Sequence, residues 1–255
     1  MQSSFAYIFL FPVLVYCSCK QTSTYGIPVE DPVDILKDQT SFLKYYNTLK
    51  LSADFIALDA SSKIITRGEF LKQVSSGAYL PLRLTSKDSV YYKLYKINTP
   101  TDYMIWIKDM GDREYKHYQM EGKTLPKFNF IDLDGRIYNQ ETTKGKIVVL
   151  KFWFIGCVPC VQEMPALNKL VNQYKNRKDI VFVSLAFDKK EDLKKFLVKT
   201  TFNYAVVANQ KDYLIKDLGI TSFPTHTVIN KKGIVVKVLD SYKEMESVLK
   251  KESLK

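Results

Sequence analysis

From residue 127 onward, strand-like and helix-like segments alternate. That pattern predicts an α/β fold, a central mixed sheet with helices on both faces, preceded by a smaller α+β region. The length agrees: at ~150 residues per domain, 255 residues make one or two domains. The composition agrees as well, with 46% hydrophobic and 25% charged residues, ordinary globular usage that excludes long disorder. Four cysteines are too few for a small disulfide scaffold. Beyond the N-terminus, no stretch reaches the ~20 apolar residues of a membrane span.

The N-terminus reads as an address. Phe5 to Cys17 is an uncharged, mostly apolar run, of a length suited to a secretory h-region and short for a span. Ser18-Cys19-Lys20 follows, where polarity begins. A small residue before a cysteine at the end of such a run resembles a bacterial lipoprotein processing site. By that resemblance residues 1–19 are a signal and Cys19 becomes the lipidated first residue of the mature chain. Cys17, preceded by the bulky Tyr16, is the weaker candidate. Met1-Gln2-Ser3-Ser4 departs from the pattern by lacking a lysine or arginine, so an uncleaved anchor stays open. Processing at Cys19 leaves Cys157 and Cys160 for chemistry.

Residues 20–126 form the α+β region. Residues 20–31 read as a polar tether. Asp34 to Leu51 reads as one helix, from the spacing of Ile35, Phe42, Tyr45, Tyr46 and Leu49. Residues 66–74 read as a second, short helix. Val90–Ile97 alternates as a strand, and Tyr103–Ile107 reads as its hairpin partner across Asn98–Asp102. Ten of the 17 tyrosines fall in this region, as expected of a sheet core.

The boundary falls near Leu125-Pro126. Phe128–Leu133 and Arg136–Tyr138 flank Asp134-Gly135, a hairpin turn. Ile147–Trp153 is a buried strand interrupted only by Lys151. Cys160 to about Tyr174 is a helix. Ile180–Phe187 is a strand, Asp188–Lys199 an amphipathic helix and Tyr204–Ala208 a short strand. Asp212–Leu218 is a helix closed by Gly219. Thr225–Asn230 and Ile234–Val238 form a second hairpin, and Tyr242–Lys251 is the last helix.

The net charge is +11, with +9 in residues 127–255. The excess is mostly scattered lysine without arginine–aromatic patches. It reads as a solvated face and not as a nucleic-acid surface.

The decisive motif is Cys157-Val158-Pro159-Cys160, placed after a buried strand at the opening of a helix. Unpaired backbone N–H groups and the helix dipole stabilise a thiolate at Cys157, and such cysteines attack disulfides. The spacing puts Cys160 one turn on, within disulfide reach. Pro159 suits the first turn, where no N–H bond is lost. Other readings need more than is present. A zinc ribbon lacks a second ligand pair, because His117 and His226 have no ligand spacing. A structural disulfide here would close a two-residue loop. A peroxide-reducing cysteine would have threonine at the position of Phe154. A copper chaperone would want wider cysteine spacing, and His226 reads as packing.

With Gly145–Trp153, Cys157–Leu167 and Ser222-Phe223-Pro224-Thr225 in this order, residues 127–255 resemble the TlpA/ResA-like thiol-disulfide oxidoreductases of the thioredoxin superfamily. The resemblance implies a thioredoxin-like fold and a redox-active dithiol with no metal or other cofactor. It implies an exposed nucleophile at Cys157 and a buried resolving thiol at Cys160. Pro224 matches the family's cis-proline, leaving the backbone of Phe223 to pair with substrate. Trp153 matches the tryptophan beneath the active site, and Glu163 an acid near the cysteines. Gly156 stands where the family has tryptophan, which opens the site, and Phe223 narrows substrate choice. Lys151 stands where the family has asparagine. A buried lysine needs a partner, and Glu163 is the candidate.

The sequence therefore points to a thiol-disulfide oxidoreductase, anchored in the bacterial envelope and facing the periplasm. Its partners are protein thiols and disulfides and an unidentified redox partner. Two alternatives from other classes remain open: a partner-binding lipoprotein with a non-catalytic domain, and a thiol peroxidase. Val158-Pro159 supplies no histidine to stabilise the thiolate, which favours a reductant.

Overall fold

The computed structural model describes residues 25–255. The apolar run, Cys17, Cys19 and the expected signal lie outside the described residues.

The N-terminal elements are α1 (Pro32–Leu36), α2 (Gln39–Tyr46), β1 (Ile56–Leu58), β2 (Ile64–Ile65), α3 (Arg67–Val74), β3 (Tyr79–Leu84), β4 (Tyr91–Lys96) and α4 (Tyr103–Met120). The strands form one sheet in the order β2-β1-β4-β3. Its core buries Ile35, Phe42, Tyr45, Phe70, Leu80, Tyr92 and Ile107. Tyr45 earns its burial by satisfying its hydroxyl, which donates to the Pro81 carbonyl and accepts from the Arg83 amide.

Three expectations fail here, each for a local reason. The helix expected over Asp34–Leu51 is two helices. Asp38 is extended, and its carboxylate accepts from the Ser41 amide to cap α2, so capping wins over continuation. The tether expected over residues 20–31 is not free where it is described: Val29 donates to the Arg83 carbonyl and Thr85 to that of Ile27, beside a bridge between Pro28 and Leu84. The strand expected over Tyr103–Ile107 is the first turn and a half of α4. Read over five residues, Tyr-Met-Ile-Trp-Ile has strand composition. Read over eighteen, Ile107, Met110, Gly111, Glu114 and His117 recur on one buried helical face, and the longer period prevails. Gly111 lies where α4 crosses α3, and a Cβ there would run into the backbone of Val74 and Ser75.

The remaining elements are β5 (Asn129–Ile131), β6 (Ile137–Asn139), β7 (Ile147–Trp153), α5 (Val158–Gln162), α6 (Met164–Gln173), β8 (Ile180–Ala186), α7 (Lys190–Lys199), β9 (Ala205–Val207), β10 (Thr225–Ile229), β11 (Val235–Leu239) and α8 (Tyr242–Ser253). The central sheet is mixed, in the order β11-β10-β7-β8-β9. β7 pairs parallel with β8 and antiparallel with β10. All seven residues of β7 are buried, as expected of a strand covered on both faces. One face carries Ile147 and Val149 against Leu167, Leu170, Met245 and Leu249 of α6 and α8. The other carries Val148, Leu150 and Phe152 against Phe130 of the β5–β6 hairpin and Leu214 and Leu218. The helix expected over Asp212–Leu218 is a π-helical turn at Tyr213–Asp217.

The two parts join through α4, which packs against β11. The Gly122 amide donates to Val235, and the Val235 amide to Lys123.

Candidate functional site

The site sits at the C-terminal end of β7. The chain leaves the sheet at Trp153, turns through Phe154, Ile155 and Gly156, and enters α5 at Cys157. Asp188, after β8, fixes that turn: its carboxylate accepts from the Ile155 amide at 2.8 Å. Pro159 lies in the first turn of α5, where its missing N–H costs nothing.

Cys157 and Cys160 form a disulfide with Cα atoms 5.3 Å apart. Cys160 has no exposure and Cys157 has 5%. Cys160 is buried as the resemblance implies, but Cys157, expected to be exposed, is nearly as buried. Other aromatic groups take the place of the flanking ring. Phe154 and Phe223 pack against the cluster that holds both cysteines. Phe154 stacks on Phe187, and both meet Phe223 edge-on. Phe223 precedes a cis peptide bond to Pro224, at the entry to β10. Trp153 is fully buried beneath the dithiol, against Phe196 of α7 and Phe202.

Under the disulfide lies a charged cluster. Strand register pairs His226 of β10 with Lys151 of β7, and Lys151 with Ser184 of β8. These three form a polar row on the helix-bearing face of the sheet. Glu163 ends α5 and precedes α6, and it supplies the counter-charge. The Lys151 ammonium forms an ion pair with Glu163 Oε1. His226 Nε2 approaches the same oxygen at 3.1 Å, without hydrogen-bond alignment. The Glu163 partner for Lys151 was legible in the sequence. His226 was not: its place depends on which residue of β10 faces Lys151, a long-range register.

Burial dominates the electrostatics and is then opposed. Burial pushes the Glu163 carboxyl up, but His226 and Lys151 outweigh it and hold the group below its ordinary 4.5. Burial pulls Lys151 below its ordinary 10.5, and Glu163 recovers only part of that. Burial likewise lowers His226 from 6.5 against the pull of Glu163. Burial thus works against the charged form of all three groups, and only for Glu163 do its partners outweigh it.

Among the described residues no three His, Cys, Asp or Glu side chains are placed to hold a metal ion, and no helix is long and apolar enough to cross a membrane. The chemistry available is that of two sulfurs, able to open to a dithiol and close again.

The curated relatives of this chain agree with this chemistry. The AhpC/TSA family matches residues 122–238. The thiol-disulfide oxidoreductase ResA of Bacillus thuringiensis subsp. konkukian (strain 97-27) is 33% identical over 141 residues, covering 53% of this chain and 81% of that protein. The thioredoxin-like protein YneN of Bacillus subtilis (strain 168) is 30% identical over 134 residues, covering 51% and 78%. Among solved structures, the thioredoxin domain of a thiol-disulfide oxidoreductase from Bacteroides vulgatus aligns with a TM-score of 0.46 and 29% identity, covering 51% of this chain and 96% of that one.

Proposed function

We propose, from the premise that the chain belongs to the TlpA/ResA-like thiol-disulfide oxidoreductases of the thioredoxin superfamily, that it is a lipid-anchored reductant of protein disulfides facing the periplasm. Thiol-disulfide exchange itself follows from membership and from the Cys157–Cys160 disulfide. The observation that carries the direction is what lies between the sulfurs. Val158 and Pro159 hold neither a charge nor an imidazole, so the dithiol lacks the extra thiolate stabilisation that makes a pair strongly oxidising.

The steps follow from the order of burial. Cys157 is the outer sulfur, at the start of α5, where backbone N–H groups favour its thiolate. Its sulfur attacks a substrate disulfide, forming a mixed disulfide and releasing the first substrate thiolate. Cys160 then attacks the Cys157 sulfur, the mixed disulfide breaks and the second substrate thiolate leaves. Two electrons pass to the substrate, and the Cys157–Cys160 disulfide remains until an envelope reductant reopens it. By the family resemblance, the Phe223 backbone before Pro224 is the surface for an extended substrate chain, with Phe154 and Phe187 beside the Phe223 ring.

Two measurements test this reading. In an insulin-reduction assay Cys157→Ser should abolish turnover, while Cys160→Ser should accumulate mixed disulfides. Turnover that survives Cys157→Ser would overturn the assignment. Equilibration with a thiol couple should give a potential nearer the about −270 mV of thioredoxin than the about −120 mV of strongly oxidising dithiols. A value near the latter makes the protein an oxidant. The anchor rests on the sequence at Ser18-Cys19. Cys19→Ala should change mature mass and membrane fractionation, and unchanged values reject it.

A further inference from the structure

His226 is fully buried in the middle of a sheet, and its Nδ1 has no hydrogen-bond partner among the described residues. Orphaned buried polar atoms are uncommon and call for an explanation. Its surroundings supply one. His226 lies two residues after Pro224, at the substrate-facing end of β10, and opposite Lys151. Both basic side chains converge on one oxygen, Glu163 Oε1. No hydrogen bond to the second oxygen, Oε2, occurs among the described residues. Cys160 lies three residues before Glu163, one helical turn away.

We propose that His226 is a positioning residue for the resolving step. It faces Glu163 Oε1 from the sheet side at 3.1 Å, leaves Oε2 to take the Cys160 proton, and weakens that base when the imidazole is itself protonated. This inference rests on the exchange chemistry and not on its physiological direction.

The step balances as follows. The Cys160 S–H proton passes to Glu163 Oε2. The Cys160 sulfur forms its bond to Cys157, the bond from Cys157 to the substrate sulfur breaks, and that sulfur leaves with the electron pair. Glu163 returns the proton to the leaving thiolate. His226 stays neutral throughout. Its protonation places a second cation on Oε1 beside the Lys151 ammonium, and the carboxylate then binds a proton less readily.

Few other titratable groups face the pair. Lys151 lies on β7 and Glu163 between α5 and α6. Tyr204, buried with an unpartnered hydroxyl, lies just before β9, and Asp240 just after β11. Burial lowers the imidazole below its ordinary 6.5, so the switch operates on the acid side of that value.

The test uses the reduced full chain and an excess of the aromatic disulfide 5,5′-dithiobis(2-nitrobenzoate). Release of the first chromophore reports attack by Cys157, and release of the second reports resolution by Cys160. In the wild type the second rate should lose an inflection's worth of speed as pH falls below about 6.5. His226→Gln should abolish that inflection, with the loss confined to the second release. An inflection that persists in His226→Gln, or equal slowing of both releases, overturns the proposal. A purely structural histidine would lower Tm and leave the inflection in place. A second measurement needs no variant, because the chain has two histidines. By 15N NMR, the His226 ionisation should differ between the disulfide and dithiol forms. Identical titration in both forms also overturns it. Failure of exchange itself would show separately, as no Cys157-dependent first release.

Discussion

Lys151 has no exposure at all, beneath a redox disulfide, and the partner it needs is a single carboxylate. The two members of this pair are not equivalent. Glu163→Gln strands a wholly buried ammonium beside a buried imidazole. That change should cost about 3–5 kcal/mol, the range for breaking a buried pair from one side. Lys151→Met removes the more buried charge and leaves Glu163, with its sliver of exposure, still facing His226. It should cost clearly less, and the double variant should recover part of the Glu163→Gln loss. Urea unfolding of the three variants checks the order, and a larger loss for Lys151→Met would contradict it. The sign of the pH effect follows from the direction of the shift. The Glu163 carboxyl is held below its ordinary 4.5. Its contribution to stability is therefore present above that value and disappears as pH falls through the folded-state pKa.

At the scale of elements, the best-read segments were those whose burial and period agree over their whole length. Ile147–Trp153 was legible because a strand buried on both faces has a continuous apolar signature, and the Cys157–Cys160 turn because its spacing is local. α4 was misread because its first five residues carry strand composition and Asp102 makes no side-chain cap to announce a helix. That misreading also hid the chemistry of its inner face. Glu114 and His117 lie one turn apart on it, both almost wholly buried. Glu114 Oε1 accepts from Arg113 at 3.2 Å and Oε2 has no partner, while both His117 nitrogens are unpartnered. Burial raises Glu114 from 4.5 to about 7 and lowers His117 from 6.5 to about 4. The folded state thus holds an extra proton on Glu114 between about 4.5 and 7, so this contribution falls as pH rises through that window. The unfolded state holds an extra proton on His117 between about 4 and 6.5, so that contribution falls as pH drops. Each is worth about 3 kcal/mol across its window, and between about 4.5 and 6.5 the two slopes oppose and cancel. Glu114→Gln should uncover the histidine slope, with stability lost on acidification relative to wild type. His117→Leu should uncover the opposite slope. Urea unfolding at several pH values checks both, and parallel curves for all three proteins would refute the assignment.

For the molecule as a whole, the question is whether the N-terminal part is an appendage or part of one cooperative unit. The contacts favour the second. Glu121, where α4 ends, accepts from Arg67 Nη1 through both oxygens, at 3.0 and 2.9 Å, and from Lys237 of β11 at 3.1 Å. Arg67 also donates to the carbonyls of Leu51 and Ser52, and the Ser52 hydroxyl donates to Asp240 and Glu244. Arg67, Glu121 and Lys237 retain only 10–13% side-chain exposure. One carboxylate therefore ties α3, α4 and the edge strand of the central sheet together. The sequence could not show this, because the partners are separated by 54 and 116 residues. Adjacent to β11 lies β10, which carries His226 and follows directly on Pro224, so the N-terminal part buttresses the strand that faces the dithiol. Glu121→Gln leaves Arg67 without an anion, while Lys237 keeps Asp54 at 2.7 Å. The loss should be about 2–4 kcal/mol, below the full range for a buried pair because of that surviving contact and the residual solvent. Calorimetry of the wild type should show a single transition, and Glu121→Gln should lower it as a unit while exchange through Cys157 continues in the folded state. If the wild type instead melts in two steps, and the variant moves only the first, the N-terminal part is an independent body and Glu121 a local cap.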